Sequence, residues 1–292
     1  MNRRPVWKVN SRFAQVVVLC LALLAPAIQA TAQTQASAAE RNDYLFNDSH
    51  FHLTNYIQEG INIRDFLKLM GNKAGRVLEA FPGVFSGIGE FSIHKEFVSS
   101  KISGEVASLQ DPALDRLLDF AAEVGLVVLI HNDIDTPFAK EGAPPAYFEQ
   151  IKAVFKRHPK TTFIWAHIGV GRIIRPVKAQ GALIEQLLTD PAFNHVNFDI
   201  SWSEVAKYAV ATPESTKAVA DVINRYPDRF LFGTDEVAPP DQEAYLRVYN
   251  QYAPLWKLLD KETSEKVRKG NYARVFDEAR RRVRAWEQAH VK

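Results

Sequence analysis

From Tyr44 to about Glu236, apolar β-branched runs alternate with amphipathic stretches, and this alternation constrains the fold more than any other feature. The runs at 44–53 (YLFNDSHFHL), 75–81, 85–92 (FSGIGEFS), 126–133 (LVVLIHND), 161–169 (TTFIWAHIG), 195–202 (HVNFDISW) and 229–236 (RFLFGTDE) read as strands. Stretches at 61–73, 111–125, 145–159, 175–190 and 212–228 have helical periodicity. Two of them open on a capping residue followed by proline, Asp111-Pro112 and Thr212-Pro213. Two closing helices are predicted, from about Asp241 to Leu259 and from about Lys261 to the end. Strands separated by helical crossovers imply a parallel sheet. The strands lack clean apolar/polar alternation, as expected when both faces are buried. Seven runs are one short of an eight-stranded barrel, and no helix separates 75–81 from 85–92.

The residues that end these runs narrow the choice. His50 and His52 close the first, Glu90 the third, His131 the fourth, His167 the fifth, Asp199 the sixth and Asp235 the last. In parallel α/β folds the carboxyl ends of the strands share one face, where ligands bind. A barrel is the arrangement that brings all of them together. Residues i and i+2 of a strand point the same way, so His50 and His52 are predicted to face inward while Phe51 faces the helices. That pair fits half of a metal site or a hydrogen-bonded core pair. Glu90, His131, His167 and Asp235 supply further donors. Nitrogen and carboxylate ligands without thiolate suit zinc, with manganese, iron or nickel as alternatives.

The first 43 residues stand apart. Arg3, Arg4, Lys8 and Arg12 precede an apolar run interrupted by Pro26, and small residues at 30–32 fit a signal-peptidase site. The order basic, apolar, small predicts a cleaved signal at 1–32, a disordered lead-in at 33–43 and a single domain at 44–292. The expected location is periplasmic or secreted, with no stable membrane anchor, since the apolar run is short for a span. Cys20, the only cysteine, lies in the signal, which leaves no thiol to act as nucleophile or ligand. Losing four basic residues and no acid changes the net charge from +2 to −2, so the basic pI of about 8.5 belongs to the signal. A near-neutral surface gives no electrostatic case for nucleic acid, and the expected partner is a small-molecule substrate, with a homo-oligomer left open.

His-x-His on the first strand, single histidines after two middle strands and an aspartate after the last resemble the amidohydrolase superfamily. AHIGVGR (166–172), FGTDE (232–236) and KGNYARVF (269–276) are similar to its amidohydrolase-related branch. The resemblance covers essentially all of the chain after the signal. It implies a distorted (β/α)8 TIM-type barrel and metal-dependent hydrolysis of a C–N, C–O or P–O bond. It also implies His50 and His52 as first-strand ligands, His131 and His167 as the middle-strand histidines and Asp235 as the last-strand aspartate. Where many relatives carry a bridging carboxylated lysine, this chain has Glu90, as TatD-type nucleases do; Glu90 then bridges two ions, or stands beside one. In that mechanism Asp235 is the general acid/base, and His167 binds metal or stabilises an oxyanion.

Other residues admit two readings each. Lys95, beside His94, faces substrate or lies in a solvated loop. Arg172 holds a carboxylate or phosphate, or forms a salt bridge. Trp202 and Asp199 line the mouth, Asn271 caps a helix, and Arg280 to Arg282 form a solvated face. The rival functions are a decarboxylase of the same branch, a TatD-like nuclease and a non-catalytic periplasmic binding protein.

Overall fold

The computed structural model describes residues 44–51, 86–95 and 108–290, of which Leu45 onward belong to one compact unit, Leu45–Lys292. The predicted signal, His52, the run at 75–81 and the helix at 61–73 lie outside the described residues. Five parallel strands pair in chain order: β1 (Gly87–Ser92), β2 (Val127–His131), β3 (Thr162–Trp165), β4 (Val196–Asp199) and β5 (Phe230–Leu231). Helices occupy the intervals after β1, β2, β3 and β4, as right-handed crossovers require. The architecture is the α/β barrel type. The residues that would complete an eighth strand are not all among those described.

Two observations show the edges of the sheet curving toward each other at the carboxyl face. The segment 45–51 lies beside β5, where Ser49 N donates to Phe232 O and Asp235 N donates to His50 O (2.7 Å). Yet His50 Nε2 is 3.8 Å from Glu90 on β1, at the opposite edge of the pairing order. Register keeps the carboxyl ends level: Ser92 pairs with His131, Ile130 with Trp165, Trp165 with Phe198 and Asp199 with Leu231.

The 45–51 segment departs from the prediction. It makes a single bridge at Phe46 and bends at Ser49 and His50, so His50 is aimed by its anchors rather than by strand alternation. Phe46 is fully buried among Phe232, Tyr245 and Tyr249, with ring centroids 4.9–6.0 Å apart. Phe51 does face the helix layer, edge-on to Tyr245. The core beneath β2–β4 is aromatic: Phe155, Phe163, Trp165 and Phe198 are fully buried, and Trp165 Nε1 donates to Asn132 O.

The crossover helices appear where predicted: Pro112–Val124, Phe148–Arg157, Gln180–Thr189 and Pro213–Arg225. Asp111 caps the first, and Thr212 forms a reciprocal box with Ser215 on the last. A further helix, Ser203–Ala209, starts where a left-handed Trp202 (φ 81°) ends the run at 195–202. The first closing helix is broken into Gln242–Gln251 and Ala253–Trp256, because Pro254 has no N–H and would clash with the carbonyl four residues back. The second runs Lys261–Glu265, then through π-turns at Lys266–Gly270 and Ala273–Asp277, to Glu278–His290. The first π-turn has a cause: the carbonyls of Val267, Arg268 and Lys269 accept from Phe232 N, Asn47 N and Asn47 Nδ2. Asn271 caps nothing; its amide donates to the carbonyls of Pro227 and Phe230. Among the described residues no helix is long and apolar enough to cross a membrane.

Candidate metal centre

Three chain reversals deliver side chains to the carboxyl face. After β3 the chain turns through left-handed His167 (φ 57°), Ile168 (φ 54°) and Gly169 (φ 73°). Trp202 does the same after β4, and Asp235 (φ 50°) after β5. Non-glycine residues adopt this conformation at some cost, and such positions concentrate at functional sites. Gly233 has a different reason to be glycine: a Cβ there would lie 2.6 Å from His50 N and 2.8 Å from His50 Cβ. The absent side chain allows His50 to pack against β5.

His50 and His167 stack at 4.9 Å, and their two ring edges face different chemistry. The Nδ1 edges face Asp199 and Ser201. His50 Nδ1 is 2.9 Å from Asp199 Oδ2, and Ser201 Oγ is 3.2 Å from His50 Nδ1 and 3.1 Å from His167 Nδ1 while donating to Asp199. Asp199 and Ser201 are wholly buried. The Nε2 edges face Glu90 and Asp235. From His50 Nε2, Asp235 Oδ1 is 3.2 Å away and Glu90 Oε2 3.8 Å; from His167 Nε2, Asp235 Oδ2 is 3.7 Å away and Glu90 Oε1 4.0 Å. His167 Nε2 is buried and has no hydrogen-bond partner among the described residues.

Each Nε2 thus lies 3.2–4.0 Å from an oxygen of Glu90 and an oxygen of Asp235, a spacing compatible with shared ligation of a divalent ion. By proximity Glu90, His131 and His167 also form a group that could hold one. A metal-ligating imidazole characteristically donates its other N–H to a carboxylate, the relation of His50 to Asp199. A neutral buried imidazole nitrogen facing carboxylates, as His167 Nε2 is, can serve as a Lewis base. Asp199 also groups with His50 and His167 by proximity alone. Its contacts with Nδ1, with Ser201 N and with Ser201 Oγ make it an orienting partner instead.

His131 sits differently. Its Nδ1 lies 2.6 Å from Glu90 Oε1 and its Nε2 3.1 Å from Asp133 Oδ1, so both ring nitrogens already face carboxylates. Lys95 Nζ donates to both Glu90 oxygens at 3.2 and 3.4 Å, which answers the sequence ambiguity: it faces the site. Trp202 packs 4.9 Å from His167, and Arg172 lies over the Trp202 ring at 5.9 Å. Of the residues singled out from sequence, His50, Glu90, Lys95, His131, His167, Trp202 and Asp235 converge, Arg172 stands at the rim, and His52 lies outside the described residues.

Electrostatics separate the two stacked histidines. Burial pushes His167 down to about 4, helped by the charges of His131 and His50 against Asp235, so it is neutral at physiological pH. Burial also opposes protonation of His50, but Asp235, Asp199 and Glu90 hold it well above the ordinary imidazole range. Burial would raise Glu90, yet hydrogen bonds from His131 and His50 keep it well below the usual carboxylate range.

Sequence reasoning missed Ser201 and Asp48. Ser201 stands two residues beyond a strand-end aspartate, a position where it can share that aspartate's face, but serine is too common there to signal a role. Asp48 is buried and accepts from His50 N (3.1 Å), Thr234 N (2.9 Å), Thr234 Oγ1 (2.6 Å) and Tyr245 Oη (2.9 Å). It thereby ties the backbone at His50 to the residue preceding Asp235.

A family model described as Amidohydrolase matches residues 94–277, more than half of the chain. No curated protein matches the chain. Among solved structures, a candidate 2-pyrone-4,6-dicarboxylic acid hydrolase from Pseudomonas putida is 15% identical, with 80% of this chain and 98% of that one covered and a TM-score of 0.53. A protein of Agrobacterium tumefaciens in apo form is 12% identical over 80% and 96%, with a TM-score of 0.50. An amidohydrolase of Burkholderia multivorans with bound zinc is 14% identical over 80% and 99%, with a TM-score of 0.48. Likeness at these identities speaks of fold alone.

Proposed function

The chain belongs to the amidohydrolase family, and from that premise we propose that it is a metal-dependent hydrolase cleaving a C–N, C–O or P–O bond of a small molecule. One observation carries the reading: Nε2 of His50 and His167 face the carboxylates of Glu90 and Asp235 across 3.2–4.0 Å, while Asp199 and Ser201 fix both Nδ1 edges. His50, His167 and Glu90 would hold one divalent ion with Asp235 beside it, which leaves a position for water; nitrogen and carboxylate donors of this kind suit zinc. Manganese, iron and nickel suit the same donors. A second ion would require His131 to give up Glu90 or Asp133.

When bound, such an ion polarises the scissile carbonyl or phosphoryl oxygen and makes water acidic enough to ionise near neutral pH. The chain does the rest. Asp235 takes the proton of the attacking water at Oδ2, the oxygen turned toward His167, and returns it to the leaving group. His167, neutral because it is buried, donates no competing proton. Lys95 balances Glu90 and so keeps the negative charge of the two carboxylates from repelling an incoming electron-rich substrate. Trp202 walls the site above His167 and limits water.

The test is metal analysis followed by a panel of esters, lactones, amides and phosphoesters. Turnover that disappears on chelation and returns with metal supports the reading. CO2 release without hydrolysis would assign the chain to decarboxylation instead. Glu90→Gln keeps the shape but removes a charge that faces both Nε2 atoms. Metal affinity is expected to fall at least about tenfold, the lower end of the scale found even for groups that only orient the ligands. Unchanged affinity by competitive chelator titration would take Glu90 out of the centre.

We place the protein outside the cytoplasm, on the basic, apolar, small order of residues 3–32. Mass spectrometry of the native protein is expected to find a chain starting near Gln33. An intact Met1 in the cytosolic fraction contradicts export.

A further inference from the structure

Beside the metal centre, on the same carboxyl face, lies a cavity of about 1120 Å³. Its walls come from the loops after β2 and β3 and from the helix Ser203–Ala209 after β4. Lys140, Arg172, Arg175 and Lys178 line it, with Asp135 and Glu141 as the acids. None of those four cations is ion-paired among the described residues. Elsewhere on the surface pairing is common: Lys207, also on the cavity wall, binds Glu204, and Arg225, Arg247 and Lys266 bind Glu185, Glu236 and Asp228.

Four cations face two acids here, and one of those acids is committed to the backbone. Asp135 is nearly buried, and its Oδ1 accepts from Thr136 N and Ala146 N, so it pins its own loop. The cationic loop is pinned as well. Ile174 is buried, Gly171 N donates to Ile174 O, and Gln180 bridges Val177 N and Ile168 O. Arg172, Arg175 and Lys178 are thus presented from a fixed backbone with no acid between them in sequence. All four cations are exposed, and like charge gathered around one concavity raises the local concentration of anions there. Arg172 connects this wall to the chemistry, since its guanidinium lies over Trp202 and Trp202 packs on His167. One aromatic ring separates the cationic wall from the metal centre.

We infer that the cavity binds the anionic end of an extended substrate, a carboxylate or phosphate remote from the scissile bond, through Arg172, Arg175 and Lys178. The inference rests on the hydrolase reading for the word substrate, but the anion site itself does not depend on it. Guanidinium forks match the paired oxygens of either group.

The experiment is calorimetric titration of the metal-loaded protein at low ionic strength with two probes, tricarballylate and glycerol 3-phosphate. The triple variant Arg172→Gln, Arg175→Gln, Lys178→Gln is compared with wild type. A control triple, Lys156→Gln, Lys160→Gln, Lys217→Gln, removes equal charge from exposed positions outside the cavity. Affinity for at least one probe is expected to fall tenfold or more in the cavity triple and to stay within twofold in the control. Arg172→Gln alone is expected to give part of the loss. Which probe loses affinity tells carboxylate from phosphate. Equal loss in both triples, or binding that the cavity triple leaves unchanged, overturns the proposal. Because binding is read without turnover, a protein that hydrolyses nothing yet shows the cavity-specific loss keeps the anion site and refutes the hydrolase reading.

Discussion

Asp235→Asn is expected to yield a folded protein that keeps its metal and loses hydrolysis by roughly 10²-fold or more, the usual scale for a positioned acid/base. Asparagine tolerates the left-handed backbone at this position (φ 50°) about as well as aspartate, so the turn after β5 survives. It also keeps an oxygen that can point at His50 Nε2, 3.2 Å from the present Oδ1. What it cannot do is accept a proton at the atom facing His167. His50→Ala separates the two roles: it deletes a ligand and the stacking partner of His167, so metal is expected to leave first and activity to follow. Metal content and turnover, measured side by side on any substrate the panel yields, distinguish the variants. Near wild-type turnover in Asp235→Asn with metal intact would remove Asp235 as the proton acceptor and point to His167.

Much of this site could be read before any coordinates, because of where strands end. A parallel sheet with crossovers forces carboxyl ends to one face, so His131, His167 and Asp235 were legible as neighbours from periodicity alone. The family resemblance added roles but not positions. His50 converges for a different reason than alternation: the chain bends there, and Phe46, Gly233 and Asp48 aim it. Local pattern could not show this, since the contacts of Phe46 with Phe232, of Gly233 with His50 and of Asp48 with Thr234 each cross more than 180 residues of chain. The closing helices lie where periodicity put them, but their internal geometry was hidden in the same way. Their periodicity is continuous through Lys266–Asp277, but the carbonyls of Val267, Arg268 and Lys269 are claimed by Phe232 and Asn47. The sharp turn at Trp202 left no mark either, because no glycine announces its positive φ. Arg172 was legible as a cation near the mouth. Its unpaired company of Arg175, Lys178 and Lys140 depends on how two loops fold back.

Asp48 gives the largest expected change in stability, and the effect reaches the metal centre. Its carboxylate accepts from four buried or nearly buried donors: His50 N, Thr234 N, Thr234 Oγ1 and Tyr245 Oη. Asp48→Ala strands all four, and each unsatisfied buried donor costs about 1–3 kcal/mol, not additively; about 3–5 kcal/mol in total is expected from denaturant unfolding. Loss of metal should accompany it, since the same carboxylate sets His50 against Thr234 and hence against Asp235. Asparagine is the informative partner. Burial raises Asp48 from 3.8 to about 6, its hydrogen bonds offsetting only part of the desolvation. A carboxyl whose folded value is raised contributes its stability in full below the unfolded value of 3.8 and loses it as pH rises through about 6. The neutral amide has no such dependence and mimics the protonated acid. The stability of wild type relative to Asp48→Asn should therefore fall between pH 4 and pH 7, by roughly 2–3 kcal/mol at the scale of 1.36 kcal/mol per pH unit. Paired unfolding curves of the two proteins across that range decide it. A gap that stays flat, or that moves in favour of aspartate as pH rises, would mean that the four donors stabilise the ionised carboxylate more than burial penalises it, and Asp48 would then be a fixed negative charge beneath the centre.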